Sequence, residues 1–199
     1  MANSSIQGGV LIFLPGVSEI RNCLDAVRKT VGAQFNADFL PLHANLSNVE
    51  QRRVFQKTKG WKVIASTNVA EVRLALRYSF PKLIFVLQTS ITIDDVIYVV
   101  DAGKVKETRY DAENGIAKLV ECWITKAAAR QRRGRAGRTR PGVCYKLYTK
   151  RQVERMDDFQ KPEILRVPLE SLALSIKTTR EDEDVKVRIQ AFPVSSVHS

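Results

Sequence analysis

The chain has 199 residues and 44% of them are hydrophobic, which suffices for one domain with a sizeable core. Its 32 Lys and Arg against 21 Asp and Glu give a formal charge of +11, which favours a polyanionic partner, either a nucleic acid or an anionic membrane surface. The longest apolar runs are strand-sized and the N-terminus lacks the layout of a signal peptide, so neither a membrane span nor secretion is predicted. Three widely spaced cysteines predict no metal site and no disulfide framework. These features are typical of an intracellular protein, nuclear or cytoplasmic.

The first third of the chain alternates apolar runs with helical patterns. Residues 10–14 form a continuous apolar run, as expected for a strand buried on both faces, and Pro15-Gly16 ends it. Ser18 is predicted to cap a helix whose apolar residues recur at helical spacing. A short strand is predicted at 39–42. A capping box at 47–50 then predicts a helix that continues through Phe55.

Further strands are predicted at 61–65 and 96–100, and a hairpin from 105–110 and 116–122. Thr125 is predicted to cap a helix, and residues 142–148 form the last clear strand. A short amphipathic helix is predicted at 169–176. Strands and helices that alternate in this way indicate an α/β protein with a mostly parallel sheet and helices on both faces.

The most informative stretch is Gln131-Arg132-Arg133-Gly134-Arg135-Ala136-Gly137-Arg138. Its glycines let a ligand approach the backbone closely, and guanidinium groups suit phosphate oxygens better than lysine does. The alternative is a solvated basic face. The octapeptide resembles motif VI of the DEAH-box branch of superfamily 2 RNA helicases.

Other segments resemble this family's motifs in the same order. Residues 10–16 resemble motif IV, and residues 41–55 the motif that follows it. Residues 66–71 and 89–94 resemble two halves of motif V, and residues 99–103 the strand before the family's β-hairpin. The resemblance covers most of residues 10–186. It implies a RecA-like three-layer sandwich of the P-loop NTPase type, the second lobe of the helicase, with an added β-hairpin.

The resemblance also implies roles for ten residues. The catalytic residues implied are Arg135, Arg138 and Gln131. The two arginines, on one side of a helical turn, are expected to contact the γ-phosphate, and Gln131 to hydrogen-bond the phosphate or the attacking water. The nucleotide-binding residues implied are Phe55, Thr89 and Asp94. Phe55 would stack on the base, although a core aromatic residue is the alternative. The RNA-binding residues implied are Gly16, Thr67, Asn68 and Ser90. No residue of this chain is assigned to a metal ion.

The function implied is ATP-dependent RNA unwinding by a complete helicase. The sequence holds no G-x-x-x-x-G-K-[ST] loop and no Asp-Glu-x-His box, so ATP with Mg²⁺ would be bound mainly by a first RecA-like lobe absent from this sequence. The expected partners are RNA, that first lobe and a helicase-activating protein, and no membrane. The chain alone is expected to be inactive. The alternatives are a non-catalytic RNA-binding module and a non-functional mis-spliced product.

The sequence predicts five segments. Residues 1–9 are expected to be a disordered end, 10–160 the helicase domain, 161–186 the start of a helical region and 187–199 an aberrant or disordered tail. Residues 72–88 are an insert, because deleting them joins the two halves of motif V. The insert begins with Val-Arg and ends with Gln, and the codons of these residues permit the two ends of an intron. We therefore interpret the insert as intron-derived; the alternative is a natural loop insertion.

Overall fold

Five parallel strands form the main sheet of the computed structural model, which describes residues 8–32, 34–68, 93, 95–111, 116–137 and 140–160. The strand order is β2-β3-β1-β4-β7, and every pairing is parallel. Two further strands, β5 and β6, form a separate two-stranded sheet. The strands are β1 (Gly9–Phe13), β2 (Ala37–Leu42), β3 (Trp61–Ser66), β4 (Val96–Asp101), β5 (Lys104–Asp111), β6 (Ile116–Trp123) and β7 (Val143–Lys146). The predicted parallel sheet and the hairpin are confirmed.

Short helices connect the strands, and most begin at a side-chain cap. They are α1 (Val17–Val31), α2 (Asn48–Arg52), α3 (Lys126–Arg133) and α4 (Lys150–Glu154), with a 3-10 turn at Arg53–Phe55 after α2. The capping box of Ser47 with Glu50 and the cap at Thr125 are confirmed. The predicted cap at Ser18 is wrong. Gly16, three residues after the end of β1, occupies the N-cap of α1, and the Ser18 hydroxyl donates to Glu19 instead.

The two faces of the central strand build two separate hydrophobic clusters, since alternate side chains of a strand point to opposite faces. Leu11 and Phe13 pack on one face with Val54 of the 3-10 turn. Ile12 packs on the other face with Ile20 and Leu24 of α1. The sheet is therefore covered on both faces, as the predicted three-layer architecture requires.

The chain divides into two compact units. The first comprises Met1–Lys106 with Glu121–Gln160 and contains the main sheet; the second comprises Glu107–Val120 with Lys161–Ser199. Within the second, the structure describes only the outer parts of β5 and β6. In the described residues, no helix is long and apolar enough to cross a membrane.

Several predictions fall outside the described residues. These are residues 1–7 of the end predicted at 1–9, the insert at 72–88, the region at 161–186 with its helix at 169–176, and the tail at 187–199. The prediction of disorder is wrong for Gly8 and Gly9, which are buried, and Gly9 begins β1. Helix α4 was not predicted, although Thr149 and Gln152 form a capping box there like the one at Ser47.

Candidate nucleotide and RNA interface

The loops that follow β1, β3 and β4 meet at one edge of the sheet. The amide of Leu14 donates to the carbonyl of Ser66 over 2.8 Å, and the amide of Ala102 donates to the carbonyl of Phe13 over 3.2 Å. The carboxyl ends of parallel strands are where α/β folds bind their ligands. The predicted RNA-binding segments at Gly16 and at Thr67 therefore lie at the same sheet edge.

The octapeptide begins on α3 and leaves it midway. Gln131 lies in the last turn of α3 with an exposed side chain, and Arg135 follows the helix and is half-buried. The turn is held by two backbone hydrogen bonds. The amide of Arg135 donates to the carbonyl of Arg132 over 3.1 Å, and the amide of Ala136 donates to the carbonyl of Arg133 over 3.1 Å. Ala136 packs against the cluster of Phe13. The turn that carries Arg135 is thus fixed to the sheet.

The expected helical spacing of Arg135 and Arg138 is not what the structure contains. Helix α3 ends at Arg133, and Gly137 adopts a φ of 79°, a left-handed conformation that interrupts the helical path before residue 138. A Cβ on Gly137 would lie 2.8 Å from the amide nitrogen of Gly142, so glycine is required there. Arg138 itself lies outside the described residues.

Arg132 is buried, whereas its neighbours Gln131 and Arg133 are exposed. It is 3% exposed and its Nη1 donates to Oδ1 of Asp101 over 2.7 Å. Its Nη2 and Nε donate to Oδ1 of Asn68 over 3.0 and 3.3 Å, and Nη2 also reaches the carbonyl of Lys104 at 3.3 Å. This arginine therefore joins α3 to the loop after β3 and to the end of β4.

Asp101 is the centre of this polar network and is fully buried. Besides Arg132, its carboxylate accepts from the amide of Gly103 at 2.9 Å and from the hydroxyl of Tyr148 at 3.0 Å. Burial, and then the charge of Asp101, raise the pKa of Tyr148, so this residue is a neutral donor at physiological pH. Gly103 has a φ of 71°, and a Cβ there would lie 2.5 Å from the ring of Tyr148.

The predicted RNA-binding residues differ in what they can offer. Asn68 has its Oδ1 occupied by Arg132, and its amide nitrogen makes no hydrogen bond within the described part of the chain, so its hydrogens can donate to a ligand. Thr67 is half-buried, and its amide donates to the carbonyl of Leu42. Gly16 is buried beside an ion pair, since a Cβ there would lie 2.5 Å from Oε2 of Glu19 and 2.9 Å from Nζ of Lys106. Lys106 also pairs with Glu19 at 2.7 Å, a contact that lowers the pKa of Glu19.

Phe55 ends the 3-10 turn after α2 and is 39% exposed, so it is not a core aromatic residue. The turn is fixed by Lys62, whose buried Nζ donates to the carbonyl of Val54 at 3.1 Å. The same ammonium pairs with Asp95 at 2.8 Å. Phe55 is thus available on the surface, on the sheet face that also carries Ala136.

Three of the predicted site residues, Thr89, Ser90 and Asp94, lie outside the described residues. Sequence reasoning missed the anchoring residues Arg132 and Lys62. A signal for Arg132 existed. It lies three residues after Ala129, which is the buried position of α3, and residues three apart share a helix face. In the described residues no cluster of acidic, histidine or cysteine side chains is arranged to hold a metal ion.

Comparison with known proteins identifies the class. Residues 2–140 match the family model described as "Helicase conserved C-terminal domain". The chain therefore belongs to this family, as its DExH or DEAH-box type, and the resemblance read from the motifs is confirmed.

Its relatives are much longer proteins. The chain is 51% identical over 188 residues to a Mycosarcoma maydis protein named as a DEAH-box ATP-dependent helicase; the match covers 93% of this chain and 11% of that protein. It is 43% identical over 179 residues to the human ATP-dependent DNA/RNA helicase DHX36, and this match covers 87% of this chain and 16% of DHX36. The solved structure of the Escherichia coli DExH-box NTPase HrpB superposes with a TM-score of 0.68 at 31% identity, covering 85% of this chain and 19% of that one.

Proposed function

We propose that this chain is the second lobe of an ATP-dependent RNA helicase. In this role it contributes arginine fingers to a nucleotide bound between two lobes, and part of the groove that holds RNA. The supporting observation is the position of the octapeptide. Its buried Arg132 bonds the loop that bears Asn68, while the turn that follows α3 carries Arg135.

The nucleotide side of the proposed site has the right chemistry for a triphosphate. Gln131 offers an exposed amide, Arg135 a guanidinium group, and Phe55 a partly exposed ring on a fixed turn. Positive donors at the γ-phosphate stabilise the charge that develops in phosphoryl transfer. ATP with Mg²⁺, when bound, supplies the phosphoryl group and neutralises its charge. We assign Arg135 and Arg138 to bind the γ-phosphate and Gln131 to hold the attacking water or a phosphate oxygen.

The RNA side rests on polar groups at the sheet edge. Backbone amides, hydroxyls and side-chain amides contact phosphates without reading the base sequence. We assign this role to Thr67, Asn68, Ser90 and the turn at Gly16. The formal charge of +11 supports a polyanionic ligand.

The chain alone is proposed to be inactive in ATP hydrolysis, since its sequence holds neither a phosphate loop nor a DEAH box. It spans 11% to 16% of the length of the relatives named above. A first lobe must therefore be supplied before the proposed function can be measured.

The decisive experiment replaces the matching segment of human DHX36 with this chain lacking the insert at 72–88, and it measures RNA-stimulated ATP hydrolysis. We expect Arg135→Ala and Arg138→Ala each to lower the rate by on the order of 10³–10⁵, the effect of losing an arginine finger. Arg151→Ala, an exposed arginine of α4, is the matched control and should leave the rate unchanged. An active chimera in which both arginine variants stay within a few-fold of the parent would refute the assignment. RNA binding that no nucleotide alters would favour the non-catalytic module.

The insert at 72–88 is a separate part of the proposal. Its 17 residues correspond to 51 nucleotides, which keep the reading frame, and it separates Glu71 from Thr89 within the proposed RNA-binding loop. We propose that it derives from a retained intron. Full-length transcripts lacking these codons, and a chimera that is active only without the insert, are the expected results. Transcripts that all carry the insert, with an active chimera, would overturn this interpretation.

A further inference from the structure

The guanidinium group of Arg132 is buried, although a charged group is normally more stable in water. It lies over the ring of Phe13 at 4.9 Å and is almost completely buried. A buried ion pair is weak evidence for stability, because desolvation offsets the attraction and an apolar pair of the same volume is often as stable. What such a pair does supply is a fixed geometry, since the planar fork of arginine bonds in set directions.

The first consequence of this geometry concerns Asn68. Arginine can only donate hydrogen bonds, so the two contacts from Arg132 require the carbonyl oxygen of Asn68 to face inward. The amide nitrogen of Asn68 must then face away from Arg132. Among the described residues no hydrogen bond from this nitrogen is found, so its two hydrogens can donate to an acceptor such as a phosphate oxygen of RNA.

The second consequence concerns Arg135. The carbonyl of Arg132 accepts the amide of Arg135 at 3.1 Å, and this bond is part of the turn that carries the Arg135 side chain. One residue therefore bonds the proposed RNA contact through its side chain and the proposed arginine finger through its main chain. Asp101 fixes the guanidinium group at the centre, since it is itself held by Gly103 and Tyr148.

We propose that Arg132 is a positioning residue that couples RNA binding at Asn68 to nucleotide binding at Arg135. This inference rests on the proposed function. When Asn68 binds a phosphate oxygen through its amide, its carbonyl becomes a better acceptor for Arg132, since hydrogen bonds in a chain polarise one another. The position of α3 and of its terminal turn is thereby set more firmly, and Arg135 is held ready for the nucleotide.

The variant Arg132→Lys is chosen to weaken the coupling between the RNA and nucleotide sites while the protein still folds. Lysine is a point charge on a flexible stem, so it can pair with Asp101 but cannot also fix Asn68 with two parallel donors. Arg132→Met would leave the buried Asp101 without its charged partner, so that variant is expected to misfold. Asn68→Ala removes the other end of the same contact and leaves the pair of Arg132 with Asp101.

The test uses the same chimera and measures the affinity for a fluorescent, non-hydrolysable ATP analogue with and without single-stranded RNA. Coupled sites commonly change one another's affinity by about 5–150-fold. We expect Arg132→Lys to bring this ratio below about threefold, with the RNA-free affinity for the ATP analogue close to that of the parent. The variant should still unfold cooperatively, at a lower temperature because the hydrogen bonds to Asn68 and Lys104 are lost. Asn68→Ala also removes a proposed RNA contact, so its ratio is measured with RNA at saturation. It should then fall as far as that of Arg132→Lys, and the double variant should show a ratio no lower than either single variant.

Two results separate the failure of this inference from that of the proposed function. If Arg135→Ala weakens binding of the ATP analogue while Arg132→Lys keeps the parental ratio, Arg132 does not couple the sites and only this inference fails. The proposed function fails as well if Arg135→Ala leaves both the affinity for the ATP analogue and hydrolysis unchanged. An additive loss in the double variant would also overturn the inference, because it would show two independent effects.

Discussion

The buried ammonium of Lys62 allows a sharp prediction about the turn that bears Phe55. Lys62 is 2% exposed, whereas the side chain of its partner Asp95 is 40% exposed. The two partners are therefore not equivalent. Removing Asp95 leaves a buried charge without its counter-ion, but removing Lys62 leaves a carboxylate that water can reach.

The magnitudes follow from this asymmetry. Breaking a buried ion pair from one side costs about 3–5 kcal/mol, and we expect about 3 kcal/mol for Asp95→Ala because its half-exposed site admits some water. Lys62→Met removes the charge with similar packing and leaves the carbonyl of Val54 without one hydrogen bond, at a cost of about 1 kcal/mol. The double variant should resemble Lys62→Met, since Asp95 has no buried charge left to pair.

Urea unfolding of the chain monitored by tryptophan fluorescence measures these differences. With a slope of about 2 kcal/mol per M, Asp95→Ala should lower the midpoint by about 1.5 M and Lys62→Met by about 0.5 M. Equal shifts, or a larger shift for Lys62→Met, would refute the reasoning from burial. A double variant that loses the sum of both effects would contradict it too, because the two side chains would then act independently.

Two further predictions concern Tyr148 and Glu19. Tyr148→Phe removes the hydroxyl that donates to the buried Asp101 and should cost about 1.5–3 kcal/mol of unfolding free energy, whereas Tyr145→Phe, at an exposed side chain, should cost almost nothing in the same urea titration. Lys106 lowers the pKa of Glu19 in the folded state, so this pair stabilises the fold above the ordinary glutamate pKa of about 4.3 and the contribution is lost as the pH falls through the lower folded-state value. The stability difference between the parent and Lys106→Met should thus be below about 1 kcal/mol near neutral pH and vanish under acid. A difference that grows as the pH falls would contradict the assigned sign.

Much of the fold could be predicted because its signals are local. The apolar run of β1 and the capping box at Ser47 each fix a backbone conformation within a few residues, and both were found where the sequence placed them. The cap at Ser18 was misplaced because Gly16, two residues earlier, already starts α1 in an extended conformation. A serine near a helix start is a candidate cap, and only the chain direction at the end of β1 decides which residue takes that position.

The candidate site was predicted less evenly. The motif located Gln131 and Arg135, and the structure finds the first exposed and the second on a fixed turn. It did not distinguish the arginines from one another. Arg132 has the same side chain as Arg135 but lies on the buried face of α3 and bonds Asp101.

The sequence by itself determined the family, the parallel α/β architecture and the region of the site, because motif order and apolar periodicity are properties of the chain. Only the tertiary structure decided which polar side chains are buried together. Arg132 lies 64 residues after Asn68 and 31 residues after Asp101, yet it contacts both. These contacts form because the parallel sheet brings the ends of β3 and β4 next to α3. Such contacts between distant residues depend on the order of the strands in the sheet and on which face of α3 is buried, and no local pattern of residues determines either.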